Sequence, residues 1–202
     1  MSQQQLVVAY VVFASVAAFT PGPNNTMLLA SGLNFGFRRT IPHVLGVGFG
    51  IGIVVLVAGF GLGAIFHTYP LLYAVLKYLG AAYLLYLAYL IATSGAVSAG
   101  GERRGKPLSF FGAALFQWVN VKGLVAAISS VAIYSAIAPY PYNMIMLGTI
   151  FSIVGFLSAA TWAMFGVGLS RVLSTPRAVR IFNVTMALLL VASLYPVLFE
   201  GG

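Results

Sequence analysis

The sequence predicts an all-α polytopic membrane protein of six transmembrane helices, arranged as a 3+3 inverted repeat in which spans 1 and 4 are broken. Three observations carry that expectation. Of 202 residues, 61% are apolar and only 6% charged, too few polar side chains to cover a water-soluble chain of this size. Charge-free runs occupy residues 1–37, 40–76, 78–101, 107–121, 123–170 and 181–199, several of them at or beyond the roughly 20 residues that cross ~30 Å of hydrocarbon. The basic residues gather in alternate connections, the pattern by which cations orient a membrane protein.

The spans follow in order as residues 6–33, 43–66, 71–94, 108–137, 143–168 and 179–199. Two charge-free runs are too long for single spans and are cut at their turn signals: His67-Thr68-Tyr69-Pro70 in the first, Ala138-Pro139-Tyr140-Pro141-Tyr142-Asn143 in the second. Arg38 and Arg39 then follow span 1, Arg103, Arg104 and Lys106 follow span 3, and Arg171, Arg177 and Arg180 follow span 5. These connections are therefore expected on the cytoplasmic side and both termini on the other. The N-terminus lacks the basic stretch of a cleaved signal, so the first span is expected to stay in the mature protein. Segment 94–107, with its Gly, Ser and charge, reads as a cytoplasmic linker between two three-span halves, residues 1–93 and 108–202, of a single membrane domain. An odd number of spans per half makes any repeat an inverted one.

Composition also excludes function classes. The net charge of +8 would suggest nucleic acid on a soluble domain, but here it belongs to the connections, and no nucleic-acid partner is expected. Cysteine is absent, which excludes disulfides and thiolate metal sites. No acid, base and nucleophile converge in the spans, so neither an enzyme nor a cofactor is expected.

Spans 1 and 4 are each about 30 residues, ~45 Å as continuous helix and too long for the bilayer. In span 1, Pro21 and Pro23 flank Gly22. Proline lacks the N–H and clashes with the carbonyl four residues back, so the helix opens. Opening frees backbone groups that must find partners inside the membrane. Asn24, Asn25 and Thr26 follow at once and are expected to cap the restarted half-helix, turning its positive end towards a cavity. A structural kink repaired by its neighbours is the plainer alternative. Span 4 carries Asn120-Val121-Lys122-Gly123. Lys122 lies too deep for easy snorkelling and costs at least ~2.5–3.5 kcal/mol there. The only acidic residues are Glu102 and Glu200, both outside the spans. Lys122 is thus suited to the anion of a passing ligand such as a carboxylate; alternatively it bonds the carbonyls released at the opened helices, or sits there uncharged. Discontinuous helices at matching places in inverted halves point to a transporter binding site, whose residues are Pro21, Gly22, Pro23, Asn24, Asn25, Asn120 and Lys122.

Three other polar residues read as structural. Lys77 is expected to reach the outer interface along its alkyl stem, and His43 and His67 to be interfacial. The glycines of span 2 (Gly46, Gly48, Gly50, Gly52) and span 5 (Gly148, Gly155, Gly166, Gly168) predict close helix packing, and also a surface on which helices slide. They would permit a homodimer.

Phe19-Thr20-Pro21-Gly22-Pro23-Asn24, the run from Gly46 to Gly52, the stretch from Lys77 to Ala88 and the stretch from Phe116 to Gly123 resemble the LysE/RhtB family of bacterial amino-acid exporters, in order and over essentially the whole chain. The resemblance implies a multi-pass protein of the bacterial inner membrane that exports amino acids or close derivatives by alternating access, driven by protons. Its partners would be an amino-acid substrate and membrane lipid. Two departures matter. The family's Asn-Pro-Lys stands here as Asn120-Val121-Lys122, and the lost proline predicts a gentler second break. Members handling basic amino acids carry an acidic residue shortly after the span 2 glycines, where this chain reads Gly50-Ile51-Gly52, so neutral substrates are favoured. A non-transporting membrane scaffold or assembly subunit is the alternative, distinguished by a stable protein partner and no solute efflux.

Overall fold

A computed structural model describes residues 2–62, 70–93, 105–173 and 175–192. Among the described residues the structure is helical, without strands. The helices are α1 (Gln3–Phe19), α2 (Pro23–Phe35), α3 (Phe37–Val57, continued by a π turn Ala58–Leu62), α4 (Pro70–Ala92), α5 (Phe110–Phe116), α6 (Val121–Tyr134, continued by a 3-10 turn Ser135–Ile137), α7 (Tyr142–Val172) and α8 (Pro176–Ala192). Phe37–Gly61 and Tyr142–Val172 are each long and apolar enough to cross a membrane, with mean hydropathy 2.4 and 1.9. The bent pairs α1–α2 and α5–α6 raise the number to four if each pair is one span.

Local sequence explains most of the boundaries. Ser2 caps α1 through the Gln5 N–H while the Gln5 side chain returns to the Ser2 N–H, a reciprocal cap. Between α2 and α3 stands one residue, Gly36, at φ 76° and ψ 167°, a conformation essentially reserved for glycine. That single joint places Arg38 and Arg39 in the first turn of α3 rather than in a connecting loop. At the turn before α7, Asn143 Nδ2 donates to the Ser135 carbonyl at 2.7 Å, closing the bend where proline and tyrosine mark the cut. The cut at His67 lies outside the described residues.

Among the described residues, most of the buried apolar side chains fall into three clusters. One joins α1, α3, α6 and α7 around Tyr10, Val54, Leu124 and Leu147. Another joins α2, α3, α5 and α7 around Leu28, Val47, Ala113 and Ala163. These two make one body. The third lies between α4 and α8, through Leu84, Leu87, Ala187 and Leu190, and reaches the body only through Met27 and Phe116 among its buried members. The outward faces are apolar, with Val8, Val16, Phe49, Phe111, Leu115, Leu157 and Phe165 at least half exposed. Water does not tolerate so much contiguous apolar surface, whereas hydrocarbon suits it.

The glycines do bring backbones together. A Cβ at Gly32 would collide with the Ala163 carbonyl, and one at Gly166 with the Leu29 carbonyl, so α2 and α7 meet main chain to main chain. Gly52 and Gly148 bring the backbones of α3 and α7 together in the same way, while Gly48 makes room for the Phe156 ring and its carbonyl accepts from Ser152 Oγ at 2.9 Å.

Candidate functional site between the two helix breaks

Helix α1 stops at Phe19, and Thr20 closes it by donating its N–H and Oγ1 to the Val16 carbonyl at 3.0 and 2.6 Å. Gly22 is extended and Pro23 opens α2, where its missing N–H costs nothing. The two helices diverge by 60°. The carbonyls left over at the end of α1 are then shared out. Ala18 O accepts from Asn25 Nδ2 at 3.0 Å and from Ser158 Oγ at 2.8 Å. Thr20 O accepts from Asn25 Nδ2 at 2.8 Å and also from Lys122 Nζ, which lies 3.4 Å from Pro21 O as well.

The capping expectation for Asn24, Asn25 and Thr26 is overturned. The N-cap of α2 is Gly22, with no side-chain cap; Asn25 turns back to the α1 carbonyls and Thr26 Oγ1 bonds the Gly22 carbonyl at 3.1 Å. Loose carbonyls in a dry interior outcompete the helix N–H groups for those side chains, because each unmet acceptor is expensive there.

The second break has a different build. Helix α5 begins at Ser109, whose Oγ accepts the Gly112 N–H at 3.1 Å. After Phe116 the chain tightens into three successive i to i−3 hydrogen bonds: Gln117 to Ala114, Trp118 to Leu115 and Val119 to Phe116, at 3.1–3.2 Å. Asn120 is then extended and α6 begins at Val121 without a side-chain cap. The bend is 65°. A gentler second break, expected from the missing proline, is therefore not what the structure has.

The breaks face one another across a cavity of about 50 Å³ lined by Gly22, Pro23, Asn24, Asn25, Asn120 and Lys122, together with Gln117 and Ser158. Of the seven residues singled out from sequence, Pro21 alone is not in the lining, and its carbonyl accepts from Lys122. Lys122 reaches from the start of α6 to the α1 break because Gly22 leaves room: a Cβ at Gly22 would stand 2.9 Å from Lys122 Cδ. Asn24 and Gln117 exchange both amide bonds, Nδ2 to Oε1 at 2.8 Å and Nε2 to Oδ1 at 3.2 Å, and Gln117 Nε2 also donates to the Ala113 carbonyl at 2.9 Å. Gln117 was missed as a candidate, though a polar amide inside the charge-free run 107–121 was a signal. Ser158 gave none, since a serine in an apolar helix commonly bonds its own preceding turn.

His43, expected at the interface, is instead buried, with Nδ1 3.1 Å from Ser31 Oγ. The short joint at Gly36 draws the start of α3 into the body against α2, which takes the histidine with it. His67 and the side chain of Lys77 lie outside the described residues.

The cavity thus gathers two helix N-termini without side-chain caps, a cation beside one of them and the carbonyls left over at the end of α1. The apolar helices and the two breaks define a multi-pass membrane protein. The family model described as LysE type translocator matches residues 15–193, and the chain belongs to that family. Its relatives include the cysteine/O-acetylserine efflux protein of Salmonella typhimurium, 31% identical over 187 residues, 92% of this chain and 94% of the relative. The protein of that name from Escherichia coli K12 is 30% identical over 190 residues, with the same coverage. No solved structure matches.

Proposed function

We propose that this chain exports neutral amino acids or close derivatives from the cytoplasm across the bacterial inner membrane, binding them between the two helix breaks. Six spans, read as two inverted sets of three with both termini periplasmic, alternate the exposure of that site. The observation that carries the reading is the contact of Lys122 with the carbonyls of Thr20 and Pro21. A substrate carboxylate replaces those carbonyls on Nζ, helped by the N–H groups at the start of α2, and the vacated carbonyls, with Asn120, receive the substrate ammonium. One displacement therefore satisfies both ends of a zwitterion without any carboxylate from the protein.

At about 50 Å³ the cavity is well below the roughly 300–1,000 Å³ of ligand pockets, so admission requires its walls to part. Helices α1–α3 interleave with α5–α7 in one body. The walls that part therefore belong to that body, since α4 and α8 supply none of the lining. The relatives' printed substrates, cysteine and O-acetylserine, carry no net side-chain charge, which supports a neutral substrate.

Replacing Lys122 by Met is expected to abolish efflux from preloaded cells while membrane insertion stays intact; efflux at the wild-type rate would sink the assignment. The proposal includes proton drive: an inward proton gradient across proteoliposomes is expected to speed export, and an unchanged rate removes that part of it.

A further inference from the structure

The seam between α4 and the main body holds a second cavity of about 350 Å³, within the roughly 300–1,000 Å³ usual for ligand pockets. It shares no lining residue with the cavity between the breaks. Helix α2 stands between them, showing Leu28 to the first and Met27 to the second. The seam cavity has one cation, Lys106, which is exposed, and no acidic group among its lining residues. Its polar wall includes Tyr83, Ser31 and His43, with Asn34, Tyr86 and Ser109. His43 is 1% exposed; Ser31 occupies Nδ1, and Nε2 is buried with no hydrogen-bond partner. A buried ring nitrogen without a partner calls for an explanation, and the residue that carries it lines a ligand-sized cavity.

We infer that the seam cavity is a second subsite for the exported amino acid, at the end of the bundle that carries Lys106 and upstream of the site between the breaks. The substrate carboxylate meets the Lys106 ammonium, the Ser31–His43 pair and the Tyr83 hydroxyl meet its polar groups, and an apolar side chain rests on α4. This inference rests on the export reading, because it takes the same substrate. It adds that the substrate is held twice, first where the cavity already has room for it.

The chain contains no cysteine, so Ala30→Cys on the α2 wall and Ile91→Cys on the α4 wall each introduce a single thiol. Labelling of each by a small neutral methanethiosulfonate is followed in phosphatidylcholine proteoliposomes, with and without O-acetyl-L-serine or L-leucine. One of these amino acids is expected to slow labelling severalfold at both positions. The protection should persist with Lys122→Gln and disappear with Lys106→Gln. Protection lost with Lys122→Gln would mean that only the site between the breaks binds, and would overturn the subsite. So would protection conferred by added phosphatidylglycerol and indifferent to amino acid, which would make the occupant a lipid. Efflux of the same two compounds is measured in the same vesicles with the unsubstituted chain. No efflux of either sinks the export reading itself, whereas efflux without protection sinks the subsite alone.

Discussion

The breaks in α1–α2 and α5–α6 bend the chain by nearly the same angle, 60° and 65°, yet are made by different means. The first is written in covalent geometry: Pro21 and Pro23 forbid helix whatever surrounds them. The second contains no residue that forbids helix. It is imposed by neighbours: the tight turn over Gln117 to Val119, the amide exchange between Gln117 and Asn24, and the approach of α4, whose Gly80 would place a Cβ only 2.5 Å from the Val119 carbonyl. One bend is local and the other is tertiary. A backbone can thus be broken where its own sequence permits a helix, provided the partners for the freed groups sit elsewhere in the fold.

This contrast can be broken or sharpened by substitution. The largest effect is expected for Gly80→Val, because the obstacle is main chain that cannot rotate away. Overpacking of that kind costs about 1–3 kcal/mol or more, and the yield of monodisperse protein in detergent should fall steeply; an unchanged yield would show that α4 does not shape the second break. Next comes Gln117→Leu, which strands the half-buried amide of Asn24 at a cost of about 1 kcal/mol, read as a lowered thermal midpoint. If Asn24→Leu added to Gln117→Leu costs as much again, the two residues are not coupled and the pairing is of no consequence. The smallest effect runs the other way. Val121 is the first residue of α6, where proline is favoured, and Asn120 before it has φ −80° and ψ 95°, already extended. Val121→Pro should therefore stabilise the chain by about 0.4–1 kcal/mol without altering export. Destabilisation would mean that the second break is not proline-shaped after all.

The same contrast explains what was legible in the sequence. Apolar runs and turn residues placed most described helix ends to within a few residues, although α3 starts at Phe37, ahead of the expected residue 43, and Pro-Gly-Pro announced the first break. Lys122 stood out because a lone cation in an apolar span needs a partner. Its partners, the Thr20 and Pro21 carbonyls, were among the open readings. What failed depended on competition between distant groups. Asn25 looks like a cap until the α1 carbonyls are counted as rival acceptors. Val121 in place of proline looks like a softer bend until Gly80 and Gln117 are brought in. His43 looks interfacial until the single-residue joint at Gly36 is known. The pairing of α4 with α8, residues about a hundred positions apart, left no local mark.

The backbone contact of α2 with α7 has a mechanical consequence. Where Gly32 lies under the Ala163 carbonyl and Gly166 under that of Leu29, there are no side chains to change rotamer and take up a shift. Moving either helix along the other by one residue would drive a Cβ into a carbonyl oxygen. The joint therefore behaves as a rivet, not as the sliding surface that its glycines suggest, and it fixes α2 to α7 at one register. A side-chain-filled joint, such as the one where Leu84, Leu87 and Leu190 meet, can instead repack. The glycines supply the stiffness and the leucines the give.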